Sequence, residues 1–130
     1  MNQERLRQRS EDYQKAVRRL QDAFRQEKNE FIRDSVIQRF EFCYELVWKT
    51  LKLKLEQEDI DACSPKETLR AALELGLIED GNAWTKLHRK RYVTSQTYDE
   101  ALAEEVYTFV CQTGLPLLQQ LAHQTETWRN

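Results

Sequence analysis

The chain has 130 residues, a length that fits one domain able to bury a core without disulfides or a metal. Hydrophobic residues make up 40% and charged residues 32%, with only three glycines and two prolines, which favours long helices over a turn-rich β fold. The formal net charge of -2 excludes an overall basic field, so a nucleic acid would need a local patch. We therefore predict one all-α domain over residues 1–130.

Two long amphipathic helices are predicted in the first half of the chain. The first runs from about Gln3 to Gln26, with apolar side chains at helical spacing on one face: Leu6, Tyr13, Val17, Leu20 and Phe24. The second runs from about Asn29 to Gln57 and carries two adjacent apolar stripes, formed by Phe31, Val36, Phe40, Cys43, Val47 and Leu51 and by Ile37, Tyr44, Trp48 and Leu55. So wide an apolar surface needs more than one neighbour, which predicts the bundle centre, a subunit interface, or both.

Two shorter helices follow. The third begins at Ser64, the first residue of a capping box, and stops at Gly76, which can adopt the left-handed conformation that ends helices. The fourth begins at Asp80 or Gly81 and should end around Tyr92.

A last helix is predicted after a polar connector. Thr97 and Glu100 form a second possible capping box, and apolar residues follow at helical spacing: Leu102, Val106, Phe109 and Val110. Gly114 and Pro116 should kink or break this helix before it resumes. Together these elements predict an up-and-down four-helix-type bundle with an additional short helix.

The polar connector, Arg91-Tyr92-Val93-Thr94-Ser95-Gln96-Thr97-Tyr98-Asp99-Glu100, is the most informative stretch of the chain. It places guanidinium, amide, hydroxyl and phenol groups in a short segment between two helices. Because functional residues concentrate in connectors held by a rigid scaffold, this segment is the first candidate site.

The segment Arg33–Lys49, which reads RDSVIQRFEFCYELVWK, resembles the second-helix signature of the nucleotidyltransferase substrate-binding protein family. Further matches follow in the same order and spacing, so the resemblance covers about Phe31 to Tyr107: Ser64-Pro65, Gly76-Leu77-Ile78, Trp84, Arg91, Thr94-Ser95 and Thr97-Tyr98-Asp99-Glu100. This family belongs to the HEPN (higher eukaryotes and prokaryotes nucleotide-binding) superfamily. The resemblance implies a helical bundle, commonly dimeric, encoded beside a minimal nucleotidyltransferase that supplies the nucleotide chemistry.

Ribonuclease members of that superfamily carry a motif that reads Arg-x-x-x-x-His, often followed by x-Tyr. In those proteins the motifs of two subunits meet at a dimer interface, and this chain resembles the motif in part. Arg91 and Tyr98 match, but Gln96 stands at the histidine position and Tyr92 at the asparagine position after the arginine. Glutamine has no titratable group near neutral pH, so it cannot move the protons of RNA cleavage. We therefore predict that the chain is not an enzyme; His88 could substitute only if its helix places it on the same wall.

Tyr98 suggests a different role. In related two-component systems the nucleotidyltransferase attaches AMP to a tyrosine of this motif, and the resemblance places Tyr98 at that position. A phenol at a helix N-terminus is accessible, and the amides there can steady a phosphate. Alternatively, Tyr98 packs against the bundle and its hydroxyl finds a local partner.

Charged residues of the second helix and the connector have two interpretations. Arg91 could offer its planar fork to a phosphate or carboxylate, or it could pair with Glu41 or Glu45 to hold two helices together. Arg33, Glu41, Glu45 and Lys49 lie at multiples of four, which predicts either a solvated salt-bridge ladder or part of a partner-binding surface.

Aromatic and basic residues near the connector are ambiguous in the same way. Trp48 and Trp84 could stack on a nucleobase, but tryptophans inside an apolar stripe are more often core. The run His88-Arg89-Lys90-Arg91 could attract a nucleotide phosphate or RNA, or it could simply complement the negative end of its helix dipole.

No metal or cofactor is expected. The three cysteines, Cys43, Cys63 and Cys111, lie far apart without C-x-x-C spacing, and neither histidine stands beside one of them. The polar start of the chain and the lack of a long apolar run predict a cytoplasmic protein with no membrane contact.

The leading hypothesis is a non-catalytic, homodimeric subunit that binds substrate for a minimal nucleotidyltransferase or is regulated by it, forming a heterotetramer. Possible further ligands are a nucleotide or RNA. The chemistry would belong to the partner, because this chain lacks the Gly-Ser plus paired-aspartate signature of such transferases. The alternative is a ribonuclease toxin of a toxin–antitoxin pair that tolerates Gln96, and a third possibility is a structural adaptor without any nucleotide.

Overall fold

A computed structural model describes residues Asn2 to Arg129 and contains no strand within them. Six α-helices are joined by short helical segments of other types: α1 (Asn2–Phe24), α2 (Glu30–Gln57), α3 (Pro65–Leu75), α4 (Gly81–Val93), a 3-10 turn (Thr94–Gln96), α5 (Glu100–Phe109), a π-helical turn (Val110–Gly114), α6 (Leu115–Thr125) and a final 3-10 turn (Glu126–Arg129). The all-α prediction, a helical bundle with an additional short helix, is confirmed.

Helix α2 lies at the centre of the bundle and packs against α1, α3, α4 and α5. Its two predicted stripes supply much of the core, with these side chains buried: Val36, Ile37, Phe40, Cys43, Tyr44, Val47, Leu51 and Leu55. Phe31 was expected on the same stripe, and that expectation is wrong, because the side chain is 81% exposed. Five residues separate Phe31 from Val36, which places the two side chains about 140° apart around the helix.

Helix α1 is fixed to the other end of the chain through both apolar and polar contacts. The buried hydroxyl of Tyr13 donates a hydrogen bond to the carbonyl oxygen of Leu118 at 2.6 Å. The rings of Phe24 and Tyr107 meet at a centroid distance of 5.2 Å. These contacts bring α1 against α5 and α6 and close the bundle around α2.

Local signals define the ends of α3 and α4 as predicted. Ser64 Oγ accepts a hydrogen bond from the Glu67 amide at 3.2 Å, and Gly76 ends α3 with a left-handed φ of 81°. The Glu67 carboxylate accepts from the amide of Cys63 at 3.1 Å, so the capping box reaches one residue further back than the usual pattern. Asp80 caps α4 with its side chain.

The capping box predicted at Thr97 and Glu100 is wrong. Asp99 caps α5 instead, and its carboxylate accepts hydrogen bonds from two backbone amides of the first turn at 2.9 and 3.2 Å. Thr97 lies in the turn before this cap, and its hydroxyl donates backward to the carbonyl oxygen of Thr94 at 3.1 Å. The 3-10 turn after α4 thus moves the start of α5 two residues beyond the expected cap.

The interruption predicted at Gly114 and Pro116 takes the form of a π-helical turn. Val110–Gly114 form this turn, and α6 begins directly after it with Pro116 in its first turn. A proline is tolerated in the first turn because no helical amide is needed there. The last two helices therefore run as one interrupted rod.

Two predictions about tryptophans have different outcomes. Trp84 is buried in the core, as expected. Trp48 is only half-buried, and its indole nitrogen lies 3.4 Å from the Glu45 carboxylate.

No helix among residues 2–129 is both long and apolar enough to cross a membrane.

Candidate functional site

An open groove with a volume of about 630 Å³ lies between the N-terminal half of α2 and the connector. It is lined by aromatic, acidic and polar side chains: Phe31, Asp34, Ser35, Ile37, Gln38, Glu41, Thr97 and Tyr98. The Tyr98 side chain is 83% exposed and makes no hydrogen bond within the described residues. The alternative in which Tyr98 packs against the bundle is therefore wrong.

The connector is held in place by its own hydroxyl groups. Thr94 is buried, and its hydroxyl donates to the carbonyl oxygen of Arg91 at 2.6 Å. Ser95 donates to the carbonyl oxygen of Tyr92 at 2.9 Å. These hydroxyls satisfy two of the last carbonyl groups of α4 and so stabilise the turn that leads to Tyr98 at the rim of the groove.

Arg91 is half-buried and engaged by its own chain. Its Nη1 atom lies 3.4 Å from Glu41 Oε2 and donates a hydrogen bond to Thr94 Oγ1 at 3.0 Å. The Nε atom is buried without a hydrogen bond and lies 3.9 Å from Glu45 Oε2, an ion-pair distance too long for a hydrogen bond. The predicted pairing of Arg91 with Glu41 and Glu45 is thus present, and it joins α4 to α2.

The predicted ladder along α2 does not form. Positions four apart drift by about 40° around a helix, so Arg33 and Glu41 lie about 80° apart. Glu41 and Glu45 turn toward Arg91, whereas Arg33 turns toward α5. No ion pair of Lys49 is found among the described residues.

Arg33 belongs to a separate network that fastens α5 to α2. It is only 5% exposed, and its guanidinium lies 3.0 Å from Glu100, 3.4 Å from Glu104 and 3.2 Å from Asp34. Lys28 also donates to Glu104, at 2.6 Å. The hydrogen bond that Arg33 donates to Glu100 raises the pKa of Arg33, while the Lys28 ammonium and then Arg33 lower the pKa of Glu104. Arg33 therefore has a structural role, which is to hold α5 against α2.

This network should make the fold sensitive to acid. Because the pKa of Glu104 is lowered on folding, the unfolded chain binds more protons at low pH. The contribution of the Glu104 carboxylate to the unfolding free energy is therefore complete above the ordinary carboxyl pKa. It is lost as the pH falls through the lowered pKa of the folded state. We expect Glu104→Gln to flatten the fall in unfolding free energy between about pH 6 and about pH 3, measured by urea denaturation.

Glu74→Gln provides the matched control, because Glu74 is exposed and takes part in no ion pair of the described chain. It should keep the wild-type slope. An unchanged slope for Glu104→Gln would contradict the role given to this carboxylate.

Gln96 is exposed, and its side chain forms no hydrogen bond within residues 2–129. Its backbone carbonyl accepts from the amide of Asp99 at 3.1 Å. No hydrogen bond joins Arg91 and Gln96 in the described chain. The degenerate motif contains one guanidinium held by carboxylates and one amide that cannot titrate.

His88 and Tyr44 form a contact that the sequence did not predict. The hydroxyl of Tyr44 lies 2.5 Å from His88 Nδ1, and the ring of Tyr92 meets the imidazole edge-on at 5.2 Å. Burial, and then the charge of Lys66, lower the pKa of His88, while burial raises the pKa of Tyr44. His88 is thus a neutral imidazole tied to α2 at neutral pH. Tyr44 was predicted only as an apolar stripe residue, and nothing local in the sequence indicated its partner.

No group of three or more His, Cys, Asp or Glu side chains in the described part of the chain is arranged to hold a metal ion. All three cysteines are free, with Cys43 buried and the other two exposed.

Known proteins resemble this chain along nearly its whole length. The profile of the family described as "Nucleotidyltransferase substrate binding protein like" matches residues 8–127. A Haemophilus influenzae protein named "Probable ribonuclease HepT" is 39% identical in an alignment of length 99 that covers 69% of this chain and 67% of that protein.

Two solved structures share the fold. One, from Thermus thermophilus, has a TM-score of 0.75 and 32% identity, covering 91% of this chain and 99% of its own. The other, from Haemophilus influenzae, is described as having the fold of a substrate binding domain of a nucleotidyltransferase. It has a TM-score of 0.67 and 30% identity, covering 95% of this chain and 98% of its own. The similarity includes both α2 and the connector.

Proposed function

We propose that this chain, which belongs to the nucleotidyltransferase substrate binding protein-like family, is a non-catalytic partner subunit of a minimal nucleotidyltransferase. Family membership confirms the resemblance found in the sequence. The observation that carries the proposal is the free phenol of Tyr98, exposed at the rim of an open groove that no histidine of the described chain lines. The chain thus presents the Tyr98 hydroxyl as an acceptor for a reaction that the transferase catalyses.

Tyr98 is the proposed acceptor. Its phenolic oxygen would attack the α-phosphorus of a nucleoside triphosphate; a new O–P bond forms as the bond to pyrophosphate breaks. Pyrophosphate leaves, and the phenolic proton passes to a base of the partner. The groove volume of about 630 Å³ falls within the range of roughly 300–1,000 Å³ typical of small-molecule sites.

The charge of the groove supports placing the chemistry on the partner. Asp34 and Glu41 both line the groove, and no lysine or arginine of the described chain does. A triphosphate would be repelled by these carboxylates unless cations came with it. Binding of a nucleotide or RNA by this chain alone is disfavoured for the same reason.

A ribonuclease toxin is the second candidate, favoured by the name of the 39% identical relative. Two features weigh against it. Arg91 lies within ion-pair distance of both Glu41 and Glu45, so an RNA phosphate would have to compete with two carboxylates for its guanidinium. Gln96 is exposed and lacks a titratable group, and loss of one positioned acid or base costs about a hundredfold to ten-thousandfold in rate.

The proposed assembly is a homodimer of this chain bound to two copies of the transferase in the cytoplasm. The exposed ring of Phe31 beside Tyr98 provides an apolar contact for the transferase. The free cysteines are compatible with a reducing compartment. This chain and its transferase would then be the two components of a toxin–antitoxin system.

Native purification from the host tests this proposal. We expect the tagged chain to retain a small nucleotidyltransferase in a fixed 1:1 ratio, identified by mass spectrometry and sized by light scattering as a heterotetramer. Phe31→Ser should reduce recovery of the transferase about tenfold or more, because it removes an exposed aromatic anchor. Phe42→Ser, which changes another exposed phenylalanine of α2 that does not line the groove, is the control.

Recovery of a homodimer that carries RNA fragments and no transferase would contradict the proposal. Cleavage of RNA that is lost in Arg91→Ala would then establish the ribonuclease alternative. A chain that retains neither a transferase nor a nucleotide would be a structural adaptor.

A further inference from the structure

A second cavity, with a volume of about 210 Å³, lies between α3 and α4 and takes no part in the groove. Leu69 and Trp84 are buried and Leu73 is half-buried, and these three side chains form its apolar walls. Lys66 and Arg70 line it as well and are exposed. The cavity therefore combines an apolar interior with cationic groups at its opening.

The two cations at the opening of the cavity are neighbours on one helix. Lys66 and Arg70 are four residues apart on one face of α3, a spacing at which like charges repel. No carboxylate lines the cavity, and neither residue forms an ion pair with any part of the chain that the structure describes. Two adjacent positive charges at the opening of an apolar cavity suit an anionic ligand.

His88 adds a neutral donor to the same cavity. Its Nδ1 atom is taken by the Tyr44 hydroxyl at 2.5 Å, and the ring also lines the cavity. With the Tyr44 hydroxyl as donor, the imidazole proton lies on Nε2, which bonds no protein group among residues 2–129. The contact with Tyr44 fixes the orientation of the ring before a ligand arrives.

We propose that this cavity binds a small organic anion. Its flat apolar body packs against Trp84, Leu69 and Leu73, and its carboxylate or phosphate meets Lys66 and Arg70. The volume is below the roughly 300–1,000 Å³ of sites for drug-sized ligands, so the ligand is of fragment size. The inference depends on the cavity alone and stands whether or not the chain partners a nucleotidyltransferase.

Phenyl phosphate and benzoate are suitable probes for the two anion types. The full chain labelled with ¹⁵N is titrated with each while the indole resonance of Trp84 is followed by NMR. Inorganic phosphate tests whether an anion binds without an aromatic ring. Benzyl alcohol tests whether an aromatic ring binds without a negative charge. We expect a saturable shift with at least one organic anion, at a dissociation constant about tenfold or more below that of either control compound.

Variants locate the anion. Lys66→Gln combined with Arg70→Gln should raise the dissociation constant about tenfold or more. Lys86→Gln combined with Arg89→Gln removes the same charge from exposed positions of α4 that do not line the cavity, and should leave it unchanged. All four positions are exposed, so both variants should fold.

Any of three results would overturn the proposal. The first is the absence of a saturable Trp84 shift with both organic anions. The second is equal binding of the control compounds, and the third is equal weakening by the two double variants. Binding of phenyl phosphate without benzoate would assign a phosphate ligand, and the reverse a carboxylate.

Discussion

Tyr98→Phe should abolish nucleotidyl labelling of this chain by its partner transferase. The substitution removes one oxygen from a side chain that is almost fully exposed and makes no contact needed for folding. The acceptor oxygen would be lost while the groove and the ion pair of Arg91 persist. We expect incorporation to fall to background when the purified pair is incubated with labelled ATP and magnesium, with the site read from a peptide mass map.

Tyr92→Phe is a closely matched control. Of the five tyrosines, Tyr13 and Tyr44 are buried and Tyr107 is half-buried, so Tyr92 at 69% exposure is the comparable phenol. It stands six residues before Tyr98 and does not line the groove. Labelling should persist in this variant.

The outcomes separate acceptor identity from partnership. Label that remains in Tyr98→Phe, or that maps to another residue, would overturn the assignment of Tyr98 while leaving the transferase as partner. An unlabelled wild-type chain that still co-purifies with an active transferase would indicate substrate presentation without modification. An unlabelled chain that retains no transferase would remove the partner proposal as well.

Phe40→Ala should strongly destabilise the fold. Phe40 is fully buried at the middle of α2, and loss of a buried phenylalanine typically costs about 3–5 kcal/mol through lost burial and the cavity left behind. Domains of this kind are stable by only about 5–15 kcal/mol, so a large share of the folded population is at risk. Urea denaturation followed by circular dichroism measures the change.

Phe42→Ala makes the same chemical change two residues away on the same helix. The Phe42 side chain is 53% exposed, so its truncation should alter the unfolding free energy by only about 0.5 kcal/mol. A cost for Phe40→Ala no larger than that of Phe42→Ala would contradict the central position of α2 in the bundle.

Features set by neighbours in the sequence could be predicted from it. The helical period of apolar residues located α1 and α2, and the oxygen of Ser64 together with the freedom of Gly76 fixed both ends of α3. Each of these signals acts within a few residues. The family resemblance implies the same helical bundle that these elements predict.

Features that depend on contacts between helices were predicted poorly. The burial of Arg33 against α5 requires Glu100 and Glu104, which are more than sixty residues away, and no spacing on α2 indicates them. The cap at Asp99 depends on a 3-10 turn that engages Thr97 first. For Arg91, pairing and ligand binding were both reasonable from the sequence, and the positions of Glu41 and Glu45 show the pairing.

The candidate site likewise has features that could be predicted from the sequence and features that could not. The connector could be singled out because its polar groups are contiguous in sequence. The exposure of Tyr98 could not, since it depends on how the turn leaves α4. The cavity of Lys66, Arg70 and His88 is assembled from two helices whose separate patterns carry no sign of it.

The π-helical turn between α5 and α6 sets the rotational phase of the last helix. Such a turn holds one more residue than an α-helical turn, so the extra residue in Val110–Gly114 is accommodated without changing the face that α6 presents to α1. One extra residue in a regular α-helix would instead rotate everything after it by about 100°, and the carbonyl oxygen of Leu118 would lose the hydroxyl of Tyr13. Removing one residue from the turn should therefore leave that contact in place, and related chains should tolerate a difference of one residue in length there.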